Sequence, residues 1–332
     1  MRVQELRAPA PVERSPLASA DRAVPQPGPG EVLLRVAACG VCRTDLHIVE
    51  GELPPHRPVV VPGHQVVGVV DRAGPGVELA PGSRVGVTWL YSSCGQCAAC
   101  RRGEENLCAE ARFTGYDTDG GYGEAMIADA RYVYPLPEHF SPVEAAPLLC
   151  AGVIGYRSLR RAEVAAGDRV GMYGFGASAH LALQVAVSWG CQVFVVTRGA
   201  GHRRLAADLG AAWTGTAEER LPAPLDRAIL FAPSGALIPP ALGALRPGGT
   251  LAINAIYLGR MPEMDYALLY QERTVRSVTN LTPRDAREFL ALAEAIPVRT
   301  EVEPFPLEDA NAALQKMKRR ELAAAAVLAI AT

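Results

Sequence analysis

The apolar positions of this chain fall into two textures. From Val32 to about Leu136 they form short runs rich in valine and glycine: EVLLRVAACG, HQVVGVVDRAG and SRVGVTWL. Runs of that length, bounded by glycine and proline, predict the strands of a β-rich domain. Near Cys150 the period changes. AGVIGYRSLRRAEV predicts a helix, DRVGMYGFG a buried strand entering a glycine turn, ASAHLALQVAVSWG a helix and CQVFVVTRG a second strand. HRRLAADLGA, LDRAILFAP, GALIPPALGAL and GTLAINAIY continue the order helix, strand, helix, strand. Strands alternating with helices predict a parallel, doubly wound sheet. From about Pro283, PRDAREFLALAEA predicts a helix, PFPLEDANAALQKMKRR a loop and LAAAAVLAIA a closing strand. The expected class is α/β, with a β-rich domain at 1–150, a doubly wound domain at 151–282 and a return to the first domain at 283–332.

Composition narrows the partners. The 332 residues suit two domains, and a net charge of −2 gives no reason to expect nucleic acid. The N-terminus MRVQELRAPAPVERSP lacks the apolar run of a signal peptide, and LAAAAVLAIA is too short to span a bilayer. A cytoplasmic protein with no membrane partner is expected. In that reducing compartment clustered cysteines are metal ligands more often than disulfides.

Four of the eight cysteines lie in CGQCAACRRGEENLC, as Cys94, Cys97, Cys100 and Cys108. The spacing C-x2-C-x2-C-x7-C lets four thiolates surround one zinc ion. Iron–sulfur runs are spaced differently, and disulfides suit neither the compartment nor such short loops. A closed four-thiolate site leaves no position for substrate, so a lobe at 91–110 is expected to be structural and the chemistry to lie elsewhere.

GFGASAHLAL reads G-x-G-x-x-A at a strand-to-helix turn. Gly174 permits the tight turn, Gly176 lets a pyrophosphate approach the backbone and Ala179 allows close helix–strand packing. Ala177 and Ser178 open the helix, whose first N–H groups are free for phosphate. At the end of the second strand, where NAD-binding chains carry a carboxylate, stand Thr197 and Arg198, with Arg203 and Arg204 beyond. A guanidinium pairs with a 2′-phosphate. NADP(H) is therefore favoured, with NAD(H) as the alternative.

CGVCRTDLH, VPGHQ, the four-cysteine lobe, GYDTDGGYGEAMIADARYVYPLP, APLLCAGVIGY and the glycine turn occur in one order. On these motifs nearly the whole chain resembles the zinc-dependent medium-chain alcohol dehydrogenases. Within that family it is similar to a bacterial subgroup with PGHQ, LLCAGVIGYR and YGFGASAHLALQ. The resemblance implies a GroES-like catalytic domain and a Rossmann coenzyme domain. It implies a catalytic zinc on Cys42, His64 and Cys150, hence two zinc ions per chain. Asp45 would orient His64. Thr44 would bond the reacting oxygen and start a proton relay ending at His47. Arg43 would lie near the pyrophosphate, and Trp89, Leu90 and Ile154 would line the substrate and nicotinamide pocket. The implied substrate is a small alcohol, aldehyde or ketone, and the implied assembly a homodimer or homotetramer.

Some positions depart from the family. Gln65 replaces the carboxylate of PGHE. ELAAAAVL lacks a pyrophosphate-binding arginine, and INAIYLG places Ile256 or Tyr257 where a more glycine-rich strand end is usual. Two other functions compete: a zinc-independent quinone or enone reductase, and a non-catalytic cofactor-binding protein. The first needs no Cys42, His64 and Cys150, and the second no relay through Thr44 and His47.

Overall fold

The structure is a computed structural model that describes residues 1–256, 258–322 and 325–330. The chain forms two compact units. One comprises residues 1–150, 280–295 and 300–332, and the other residues 151–279 and 296–299.

The first unit is built on a seven-stranded sheet. Its order is Val302–Pro306, Ala325–Ala329, Glu31–Val41, Gln65–Ala73, Arg84–Val87 and Val133–Pro135, with Ala125–Asp129 also on Glu31–Val41. All pairings are antiparallel except that between Val302–Pro306 and Ala325–Ala329. The valine-rich runs form this sheet because β-branched side chains fit a pleated, buried surface. Val32, Leu34, Val36, Val66 and Val70 enter one core with Val85, Val87 and Leu328. The predicted strand SRVGVTWL breaks at Thr88. Its second part, Leu90–Ser92, pairs instead with Arg112–Phe113 beside the cysteine lobe.

The second unit is a six-stranded parallel sheet. Its order is Trp213–Gly215, Gln192–Val196, Arg169–Tyr173, Leu225–Leu230, Leu245–Ile253 and Thr274–Ser277. Numbered along the chain this is 3-2-1-4-5-6, the doubly wound order of dinucleotide-binding sheets. The reversal occurs beside Arg169–Tyr173, the strand that enters the glycine turn. Helices Ala151–Arg161 and Ala177–Ser188 pack on each other, with Gly155 letting the backbones approach: a Cβ there would come within 2.8 Å of the Ser178 carbonyl oxygen.

One expectation is corrected. PFPLEDANAALQKMKRR is not a loop. It forms the strand Val302–Pro306, a 3-10 turn Leu307–Asp309 and the helix Ala310–Lys318. Ala310, Ala313 and Leu314 are buried at helical spacing, and their contribution to the core outweighs the proline signals upstream.

Candidate metal centre and dinucleotide turn

Cys42, His64 and Cys150 come together in the first unit, with their ligand atoms within 4.8 Å of one another. Each stands where a regular element starts or stops. Cys42 is the N-cap of the helix Arg43–Glu50 as the chain leaves the strand Glu31–Val41. His64 precedes the strand Gln65–Ala73 and follows Gly63, whose φ of +96° favours glycine. Cys150 ends the 3-10 turn Ala146–Leu149. Such ends aim side chains off the sheet while the sheet holds their Cα atoms.

His64 is wholly buried, and its Nε2 has no hydrogen-bond partner among the described residues. Leaving a buried polar atom unpaired costs about 1–3 kcal/mol. A cation coordinated by Nε2 and the two sulfurs removes that penalty. Two cysteines and one histidine with no fourth protein ligand form a known catalytic zinc set. The residues fit the metal.

Asp45 fixes the other side of the imidazole. Its Oδ1 accepts from His64 Nδ1 at 3.0 Å and from the Gly63 N–H at 3.3 Å. Its Oδ2 accepts from the Cys42 N–H at 2.8 Å and from the Tyr122 hydroxyl at 3.2 Å. Asp45 is therefore both the helix cap suggested by its position and the partner of His64. A carboxylate only accepts, so Nδ1 carries a proton and Nε2 is the nitrogen that faces the thiols. Burial pushes the imidazole pKa down, but Asp45 and Cys42 outweigh it and hold it at about 10. Cys42 lies well below an ordinary thiol, chiefly because Cys150 hydrogen-bonds its sulfur and the positive charge of His64 favours its thiolate.

Other named residues surround this cluster. Thr44 is buried, with its hydroxyl 3.7 Å from the Cys42 sulfur. His47 meets the Glu52 carboxylate through Nδ1, a partner the sequence did not suggest. Trp89 stands edge-on to His64, with ring centroids 4.9 Å apart, and stacks on Phe113 at 5.0 Å. Leu90 is fully buried in the strand paired with Phe113. Gln65 is buried against Gly40, where a Cβ would come within 2.9 Å of its amide. Arg43 is exposed. Tyr122 and the glycine segment that carries it were missed. GYDTDGGYG offered glycines but no sign of what they approach.

The four lobe cysteines also converge within 4.8 Å. Neighbouring sulfurs lie 3.5–3.9 Å apart, too far for disulfides near 2.05 Å. A zinc tetrahedron with bonds of about 2.3 Å needs sulfurs about 3.8 Å apart, which these match. The Ser93 hydroxyl, outweighing burial, helps pull Cys100 down to about 7. Of the remaining cysteines, Cys39 and Cys191 are buried.

In the second unit Gly174 has φ +94°, and a Cβ there would come within 2.7 Å of the Ala232 nitrogen. Gly176 faces open space and caps the helix Ala177–Ser188 without any side-chain bond to its first N–H groups. Ala179 is fully buried. Gly176 offers no side chain to cap this helix, whose first N–H groups are those of Ala177 and Ser178. Thr197 follows the strand Gln192–Val196 and bonds through its N–H to Gly215 at 2.8 Å. Arg203 donates to the carbonyls of Thr197 and Arg198 at 3.0 and 2.8 Å, so its guanidinium braces this strand end. The Arg198 side chain has no such bond among the described residues. Ile154 lies on the helix Ala151–Arg161. Ile256 is 66% exposed, and Tyr257 lies outside the described residues, as do Ala323 and Ala324 of ELAAAAVL.

The family models described as "Alcohol dehydrogenase GroES-like domain" and "Zinc-binding dehydrogenase" match residues 28–138 and 179–295. The chain is 49% identical over 337 residues to the probable alcohol dehydrogenase AdhA of Mycobacterium tuberculosis, covering 99% of this chain and 97% of that one. A solved cinnamyl alcohol dehydrogenase from Sorghum bicolor matches with a TM-score of 0.90 at 27% identity, over 98% of this chain and 97% of its own. The crystal structure of CAD from Helicobacter pylori, complexed with NADP(H), matches with a TM-score of 0.86 at 25% identity over 99% of both chains. The cysteine–histidine cluster, the doubly wound sheet and these full-length matches agree: the chain belongs to the zinc-dependent medium-chain alcohol dehydrogenase family.

Proposed function

We propose that Cys42, His64 and Cys150 hold the catalytic zinc of this NAD(P)-dependent alcohol dehydrogenase, and that Cys94, Cys97, Cys100 and Cys108 hold a second, structural zinc. One observation carries the reading: a buried His64 whose Nδ1 is locked by Asp45 and whose unpaired Nε2 faces two cysteine sulfurs. When bound, zinc polarises the carbon–oxygen bond of an alcohol or aldehyde, and the nicotinamide exchanges a hydride with its carbon.

The chain's own residues do the rest. Asp45 keeps a proton on Nδ1, so Nε2 is the nitrogen that His64 would offer to the metal on giving up its own proton. The buried Thr44 hydroxyl beside Cys42 would accept the proton of the substrate's hydroxyl group while its own proton passes on along a relay toward His47, and the transfer would run backward in the reverse direction. His47, paired with Glu52, exchanges that proton with solvent. Trp89 limits the space next to His64 and favours flat or slender substrates. Gly176, Ala177 and Ser178 seat the pyrophosphate, and Arg198 beside Thr197 selects NADP(H) over NAD(H). The proposed assembly is a homodimer or homotetramer. No helix among the described residues is long and apolar enough to cross a membrane, and a cytoplasmic location is part of the proposal.

The test is NADPH and NADH oxidation with benzaldehyde, before and after zinc removal, in wild type and Cys42→Ser. The expected result is turnover that prefers NADPH, disappears on chelation and is absent from Cys42→Ser. Turnover that survives both treatments would point instead to the zinc-independent reductase.

A further inference from the structure

We infer that Tyr122 is a positioning residue for the metal ligand His64, acting through Asp45. The inference rests on the zinc reading above and extends it to a residue 77 positions from Asp45 in the chain.

Tyr122 ends a glycine-rich segment laid along the turn that presents His64. Gly120 N–H donates to Val61 at 2.7 Å, Gly121 N–H to Gly63 at 3.0 Å and Tyr122 N–H to Pro62 at 3.0 Å. The approach is so close that side chains are excluded. A Cβ on Gly115 would come within 2.7 Å of the Gly63 nitrogen, and one on Gly120 within 2.0 Å of the Gly63 oxygen. The Tyr122 ring lies against Gly63, where a Cβ would meet it at 2.3 Å. Backbone and ring together fix where this side chain ends.

It ends on the Asp45 carboxylate, in a fully buried site. Among the described residues that carboxylate has four partners, all donors. Three belong to the ligand-bearing segments themselves: the Cys42 N–H, the Gly63 N–H and His64 Nδ1. These can shift together with the ligands they accompany. The Tyr122 hydroxyl is the one donor from a separate segment, and it reaches Oδ2, the oxygen that does not touch His64. It therefore anchors the carboxylate against rotation, so that Oδ1 stays in line with Nδ1 and Nε2 keeps its aim.

Tyr122→Phe removes the hydroxyl and keeps the ring against Gly63. The test uses the full chain reloaded with cobalt(II). The catalytic site is isolated as the difference between each protein's visible spectrum and that of the same protein carrying Cys42→Ser. We measure that spectrum and the rate at which a chelator removes the metal, in wild type, Tyr122→Phe, Asp45→Asn and the double variant. Tyr122→Phe is expected to shift the cobalt bands and to lose metal on the order of tenfold faster. In the Asp45→Asn background it is expected to add less than about twofold, because both changes break one chain of contacts. Tyr122→p-aminophenylalanine, which returns an N–H donor, is expected to restore the slow rate even if the phenylalanine variant is less stable. Unchanged bands and release in Tyr122→Phe would overturn the inference. So would an equally large effect in the Asp45→Asn background, which would make Tyr122 ordinary packing. If wild type shows no Cys42-dependent cobalt bands, the zinc reading itself falls and takes the inference with it.

Discussion

Replacing His180 with leucine is expected to remove a pH-dependent weakness from the coenzyme-binding unit. His180 sits on the helix Ala177–Ser188, is fully buried and has neither ring nitrogen hydrogen-bonded among the described residues. Burial holds its pKa down at about 4, against 6.5 in an unfolded chain, and the nearby carbonyls of Gly176 and Ala177 only partly oppose this. The folded pKa is the lower one, so between about pH 6.5 and 4 the unfolded chain binds more protons. Stability then falls as pH falls. At pH 8 both states are neutral and the cost is nil. At pH 5 the two protonation equilibria differ by about 1.5 log units, or about 2 kcal/mol, rising to about 3 kcal/mol at pH 4. The leucine variant keeps an apolar side chain in the site and has nothing to titrate.

The assay is urea unfolding of cofactor-free protein at pH 8, 7, 6 and 5, followed by tryptophan fluorescence. Trp189 and Trp213 lie in the same unit as His180, so the signal reports chiefly on it. Carboxylates and metal loss contribute equally to wild type and variant, and the difference between them isolates His180. Between pH 8 and 5 wild type is expected to lose about 2 kcal/mol more than His180→Leu. Parallel pH curves would refute the reasoning, as would an imidazole titrating between pH 6 and 7 by NMR.

Four further outcomes are expected. Gly63→Ala forces a left-handed φ on alanine and drives its Cβ into Tyr122. It is expected to cost on the order of 3 kcal/mol and to reduce zinc bound at the catalytic site, read by thermal melts and metal analysis. Cys108→Ser is expected to lower zinc from two ions per chain to one and the Tm by several degrees, while kcat stays within about twofold. Arg198→Ala is expected to reduce kcat/KM with NADPH about tenfold and to leave NADH within about twofold, since only NADPH offers the 2′-phosphate. Gln65→Glu, which adds a charge next to His64, is expected to raise the pKa seen in the pH–rate profile; an unchanged profile would count against it.

Much of the architecture was legible because the two periods differ so sharply. The valine-rich runs have strand length, and from Ala151 to Ile253 helix and strand alternate, although the short strands Trp213–Gly215 and Thr274–Ser277 had no expectation behind them. Cys42, His64 and Cys150 are scattered, and only a family pattern grouped them; the fold then brings their donor atoms together. The helix Ala310–Lys318 was misread because it is nine residues long and follows Pro304 and Pro306. The N-terminal hairpin, Arg2–Leu6 with Leu17–Asp21, escaped notice for another reason. Its buried positions include the polar Gln4 and Glu5, satisfied by Ser19 and by Arg7 and Arg22, so no apolar alternation marks it. The contact of Tyr122 with Asp45 has no periodicity at all. It is made by a helix start and a bend that only the tertiary structure brings together.

The strand Ala325–Ala329 also governs when the metal-binding unit can be finished. It covers Ala38–Val41, the half of the strand Glu31–Val41 that leads directly to Cys42. Ribosomes deliver it some 280 residues later, after the whole doubly wound unit has emerged. The nested unit has all its strands and can close first. The outer unit must wait with an apolar edge uncovered, next to Cys42, one of the three proposed zinc ligands. Nascent chains are therefore most exposed to aggregation and to stray metals until Ala325–Ala329 emerges, and its pairing is the event that seals the sheet behind Cys42.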